Sequence, residues 1–170
     1  MRFSIILILG FSSLLKADVT AGLGIFSWQE KVPVILNQSK FDTNATFSSL
    51  GPSIGYETLI TSRYRLGLAF SYHSGVLDIL KLEGAVSPRH NFTAYWLSGK
   101  SLYRWTRSFA FGPVLLFSQK QIDRLPESTS FGMFFNFEYD IFEEVKIVQS
   151  LGSVGDSGSL AYSFNFIRSF

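Results

Sequence analysis

The chain has 170 residues, room for one domain, and it is 46% hydrophobic, 16% aromatic and only 16% charged. Against a usual charged share of about 25%, this excludes a disordered chain and a long-helix or coiled-coil protein. It has no cysteine and only two histidines, His73 and His90. Disulfides, thiolate metal sites and Cys nucleophiles are therefore excluded, and no metal or other cofactor is expected.

Met1-Arg2 supplies one early positive charge, and Phe3 to Leu15 is an apolar run broken only by Ser4, Gly10, Ser12 and Ser13. A helix of that length reaches about 20 Å, short of a hydrocarbon core of about 30 Å. The pattern reads as a secretory signal peptide over residues 1–17, with Ala17 its last residue and Asp18 opening the mature chain. Of the 15 Lys and Arg residues, Arg2 and Lys16 leave with it, so the remaining 13 equal the 13 acids. A chain without net charge is a poor nucleic-acid binder.

From residue 18 onward the apolar residues alternate with period two, the mark of strands with one greasy face. Val19, Ala21, Leu23 and Ile25 begin the rhythm, and Leu50, Pro52, Ile54 and Tyr56 continue it. Tyr64, Leu66, Leu68, Phe70 and Tyr72 follow, then Phe109 to Phe117, Phe131 to Tyr139, and Leu160 to Phe170 at every second position. Eight strands are predicted near 18–28, 45–57, 63–74, 90–103, 107–118, 129–140, 144–151 and 159–170. The facing of 90–103 and 144–151 is ambiguous. Connections alternate between short (58–62, 104–106, 141–143) and longer (29–44, 75–89, 119–128, with a glycine-rich loop at 152–158). That is the layout of an outer-membrane barrel. The other face of these strands is mostly Gly, Ala, Ser and Asn, which suits a cramped eight-stranded lumen better than a solvated exterior. Tyr56, Tyr64, Tyr72, Tyr103, Trp105, Tyr139 and Tyr162 flank the apolar bands, as interfacial girdles do. Gly51-Pro52 and Gly112-Pro113 echo one another, and a proline inside a strand implies either a bulge or a misplaced boundary.

The last strand carries Leu160, Tyr162, Phe164, Phe166 and Phe170 on one face. This resembles the terminal strand of bacterial outer-membrane barrels, with Arg168 departing from the pattern. The whole of 18–170 looks like the small eight-stranded class, similar to OmpX and the membrane domain of OmpA. The resemblance implies an all-β, eight-stranded antiparallel up-and-down transmembrane barrel with both termini in the periplasm. It also implies that Tyr162, Phe164, Phe166 and Phe170 form the signal read by the barrel-assembly machinery. The remaining implied partners are outer-membrane lipid and lipopolysaccharide, around a monomer.

Candidate chemistry is sparse. Glu57 and Arg65 fall on the inward face of neighbouring strands, and Glu138 and Lys146 repeat the spacing of eight. Registers summing to 122 and 284 would set each acid directly opposite its cation, where mutual neutralisation fills the lumen. An ion path is the functional alternative to such a polar core. Ser71 and His73 share a face, with Ser74, Asp78 and Glu83 nearby, a possible nucleophile for ester hydrolysis. That face is the lumen, away from lipid, and no Gly-x-Ser-x-Gly elbow is present. Apolar stretches at Lys31–Asn37 and Val76–Leu82 lie in the long loops; strands that continue above the membrane, with loops packed on one another, are the favoured reading, and a surface that binds a partner is the functional alternative. The sequons at Asn37, Asn44 and Asn91 are coincidental in a bacterial envelope. The chain is expected to be a non-enzymatic integral outer-membrane protein with a structural or surface-interaction role. The alternatives are a lipid-modifying barrel enzyme and a soluble lipocalin-like carrier.

Overall fold

The computed structural model describes residues 18–36, 39–79, 90–123, 125–155 and 160–170, with backbone alone at 33–36, 39–41 and 79. The expected signal peptide (1–17) and the loop residues Leu80 and Glu83 lie outside the described residues. Eight strands follow in chain order: β1 (Asp18–Leu36), β2 (Ser39–Leu59), β3 (Tyr64–Ile79), β4 (His90–Arg104), β5 (Phe109–Ile122), β6 (Ser128–Phe142), β7 (Val145–Val154) and β8 (Leu160–Ser169). Each pairs antiparallel with the next, and β8 returns to β1, so the sheet closes. Closure removes the free edges that an open sheet would present.

The alternation fixes which side is which. Leu23, Ile25, Leu68, Phe70, Leu97, Leu115, Met133 and Phe166 point outward and are exposed, while Gly24, Ser49, Ala94, Leu116, Asn136 and Ser163 point inward and are buried. An outer wall of this size made of exposed Leu, Ile and Phe is unlike the exterior of a water-soluble protein. At the short-turn end the aromatics interlock: Tyr64 meets Tyr103 at 5.4 Å between centroids, Tyr103 meets Phe111 at 5.9 Å, and Phe109 meets Tyr139 at 4.9 Å. Trp105, 69% exposed, stands beside Tyr103 and Phe111.

Two local expectations change. The segments 29–36 and 39–44 are strand and not loop, with pairing continuous from Asp18↔Glu57 to Leu36↔Ser39. Glu30, Lys31 and Pro33 read as loop residues in sequence, yet inward Trp28, Val32, Ala45 and Phe47 keep the period and bury themselves. The two prolines are neither bulges nor boundaries. Pro52 pairs with Leu23, and Pro113 with Phe135. On the opposite side of each proline the ladder is interrupted and resumes in the same register: Leu50↔Ser74 then Ser53↔Ser71, and Lys100↔Val114 then Tyr103↔Phe111. A proline lacks one donor, so each strand gives up pairing on one side only. The preceding glycines admit the neighbouring backbone, since a Cβ on Gly51 would lie 2.0 Å from the Tyr72 carbonyl oxygen. A Cβ on Gly112 would lie 2.1 Å from that of Ser101. The register shift of the β6–β7 ladder lies instead between Asp140 and Phe142.

Candidate functional site

The inward residues stack in layers along the barrel. Nearest the short turns is a five-membered charge cluster. The expected registers do not hold: Glu57 stands opposite Gly67, Arg65 opposite Leu59, Glu138 opposite Val148 and Lys146 opposite Asp140. Both ladders are offset by two residues from the expectation, because each turn is centred one residue further along the chain than the spacing of eight assumes. The long side chains still converge across the narrow lumen, and Lys100 of β4 joins them. Arg65 Nη1 donates to Glu57 Oε2 at 3.4 Å and to Glu138 Oε2 at 3.3 Å. Lys100 Nζ donates to Glu57 Oε1 at 2.6 Å and also to Glu138 Oε1. Lys146 Nζ reaches Glu57 Oε2 at 2.5 Å and Glu138 Oε2 at 3.4 Å. Each of the three cations thus touches both carboxylates. Glu138, with its side chain 1% exposed, is the most deeply enclosed member. Such groups are tolerated inside a barrel only because their charges are paired on every side.

Lys100 is absent from the sequence reading because β4 carries aromatics on both faces, Tyr95 on one and Trp96 on the other. The usable signal was the lysine itself: a cation in mid-strand, flanked by lipid-facing Leu97 and Ser101, belongs in the lumen.

Above the cluster lies a chamber of about 110 Å³ lined by hydroxyls and amides, including Thr20, Ser53, Ser98, Asn136, Ser163 and Asn165, and by apolar side chains such as Val114, Leu116 and Val148. Its volume and its polar groups are enough for a few waters. Its roof is aromatic. Phe26 meets Trp96 edge-on at 4.1 Å and Phe134 at 5.4 Å, and Trp28 stacks on Phe47 at 4.7 Å with rings 9° apart. Phe92 closes on Trp28 and Phe47 at 5.4 and 5.0 Å. Over this roof Lys120 pairs with Glu30, sits 5.1 Å from the Phe47 ring centroid, and Glu30 accepts from Trp28 Nε1 at 3.3 Å. The sequence reading expected a lumen of small residues and missed these rings. An eight-stranded lumen is filled by side chains, and this one is blocked twice, by charge below and by rings above.

His73 is buried under Trp96, with centroids 4.1 Å apart. Its Nε2 lies 3.1 Å from Ser71 Oγ and its Nδ1 3.4 Å from Ser49 Oγ. Both ring nitrogens are therefore taken by serines. Ser74 and Asp78 lie on the outward face of β3, so neither reaches His73. A Ser–His–acid set is not assembled among the described residues, and no group of metal-binding side chains occurs among them.

In β8, Leu160, Tyr162, Phe164, Phe166 and Arg168 all stand on the outward face, and Phe170 follows the strand, its amide donating to the Val19 carbonyl at 2.8 Å. Arg168 departs from the aromatic rhythm by pairing with Glu144 at 2.8 Å and lying over the Phe170 ring.

No family model and no curated protein matches the chain. Solved structures do. Ail, the attachment invasion locus protein of Yersinia pestis, solved with the heparin analogue sucrose octasulfate, superposes with a TM-score of 0.57 at 11% identity, covering 90% of this chain and 95% of that one. The outer membrane protein OprG from Pseudomonas aeruginosa gives 0.56 at 12%, covering 91% and 96%. Neisserial surface protein A gives 0.53 at 12%, covering 91% and 99%. The fold is that of a small outer-membrane β-barrel. At these identities the likeness carries the architecture and none of the neighbours' binding properties.

Proposed function

We propose that this chain is an integral outer-membrane barrel with a structural or surface-interaction role and no catalytic one. The observation that carries this reading is the inversion of the barrel. Its outer wall is aliphatic and aromatic, and its lumen is closed at two levels, by a paired charge cluster and by packed rings. Such a body anchors in lipid and carries its chemistry at its ends. Export through the predicted signal peptide and recognition of Tyr162, Phe164, Phe166 and Phe170 by the assembly machinery belong to the same proposal. So does a monomer surrounded by phospholipid and lipopolysaccharide. The long-loop end bears nearly equal numbers of acidic and basic side chains. A polyanion such as that bound to Ail is thus not favoured as its partner, and a neutral or mixed-charge surface is. The test is to purify the protein from outer membranes and measure conductance in planar bilayers. A folded barrel without open-channel current supports the reading, and stable ion current through the folded barrel refutes it.

A further inference from the structure

On the short-turn end, the β4–β5 and β6–β7 turns are tied by the Asp140 amide, which donates to the Ser108 carbonyl at 2.9 Å. Between them runs an open groove of about 1060 Å³. It is lined by both signs of charge: Arg104, Arg107 and Arg168, and Asp140, Glu143 and Glu144. Glu144 is engaged by Arg168. Arg104 is held by its Nη2 donating to the Arg107 carbonyl at 2.7 Å, and its Nε–H is buried with no acceptor. Among the described residues, neither Arg104 nor Arg107 forms an ion pair with Asp140 or Glu143, although all four border one groove. Ile141 and Phe142, 45% and 70% exposed, edge the groove and join it through Tyr139 to the apolar outer wall.

With Glu144 and Arg168 paired to each other, two arginines and two carboxylates that do not pair, at the foot of a lipid-facing surface, fit a dipolar ligand with a tail. We propose that this groove seats the headgroup of a zwitterionic aminophospholipid from the periplasmic leaflet. The phosphate lies on Arg104 and Arg107, whose forked donors suit phosphate oxygens. The primary ammonium donates to Asp140 and Glu143, and the glycerol and first methylenes run over Phe142 and Ile141. The proposal rests on the membrane reading above. It makes a distinction that a basic patch alone does not: a headgroup with an N–H-bearing cation is held better than one with a methylated cation or with none.

The test uses the folded protein in detergent micelles doped with equal amounts of phosphatidylethanolamine, phosphatidylcholine and phosphatidylglycerol, with bound lipid read by native mass spectrometry. Folding is checked separately by heat-modifiable gel mobility. The expected result is phosphatidylethanolamine retained about two- to five-fold over both others, the range an exposed ion pair gives. Asp140→Asn with Glu143→Gln is expected to abolish that preference while leaving phosphatidylglycerol bound. Arg107→Ala is expected to lower all three. Equal retention of the three lipids by the folded wild type overturns the seat, and so does tighter phosphatidylglycerol binding. Because the wild-type comparison needs no variant, it decides even where a variant does not fold. A wild type that never folds in micelles instead sinks the membrane reading.

Discussion

Glu138→Gln is the most informative single change in the lumen. The carboxylate is almost fully enclosed and takes donors from Arg65, Lys100 and Lys146. The wild-type cluster holds three cations against two carboxylates. Glutamine keeps the shape and one acceptor oxygen but leaves three cations against Glu57 alone. Breaking a buried pair by removing one partner costs about 3–5 kcal/mol, and the retained amide oxygen places this case near the lower end. With a urea m-value of about 2 kcal/mol/M, a loss of about 3 kcal/mol moves the unfolding midpoint by about 1.5 M. The assay is urea unfolding of the barrel in lipid vesicles, followed by tryptophan fluorescence and gel mobility. Adding Lys146→Met restores the excess of one positive charge that the wild type has. The double variant is therefore expected to recover part of the loss, with a coupling of about 1 kcal/mol or more. A Glu138→Gln protein within about 0.5 kcal/mol of wild type would refute the reasoning, because it would mean that water screens the cluster.

Gly51→Ala drives a Cβ to 2.0 Å from the Tyr72 carbonyl and 2.8 Å from His73 Nδ1, whereas at Gly99 the nearest atom is Leu68 Cδ2 at 3.6 Å. The first is expected to cost about 1–3 kcal/mol or to block folding, and the second to stay within about 0.5 kcal/mol, as the same unfolding assay reads. Trp28→Ala removes a ring that is 1% exposed and stacked on Phe47. It is expected to cost about 3–5 kcal/mol without opening a channel, since the charge cluster still blocks the far end, and planar-bilayer recording checks this. Deleting Phe170 is expected to lower the fraction of barrel assembled in the outer membrane, measured as heat-modifiable protein per total exported chain. Ser71→Ala and His73→Ala are each expected to leave membrane lipid composition unchanged by mass spectrometry, because His73 has serines on both nitrogens and, among the described residues, no acid beside it.

What the sequence made legible was facing. Alternation such as Tyr64, Leu66, Leu68, Phe70 needs no tertiary information, because a strand sends successive side chains to opposite sides. Extent was less legible: Glu30 and Pro33 look like loop, and only the pairing of β1 with β2 shows that Trp28 and Val32 still point into a core. The charge cluster was half visible. Glu57, Arg65, Glu138 and Lys146 share the right face, but register depends on turn geometry, and a shift of two residues changed every direct opposite. The cluster forms regardless, because side chains as long as Arg and Lys cross a narrow lumen from several registers. Lys100, Phe92 and Trp96 were hidden because β4 has large residues on both faces and so no period-two signature to read.

The central claim is a closed barrel set in a membrane, and heat-modifiable gel mobility in an isolated outer-membrane fraction tests it most directly. A compact species that fractionates with the outer membrane, needs detergent for extraction and shifts on boiling is the expected result. A protein that is soluble without detergent and runs at one mobility before and after boiling would contradict the account.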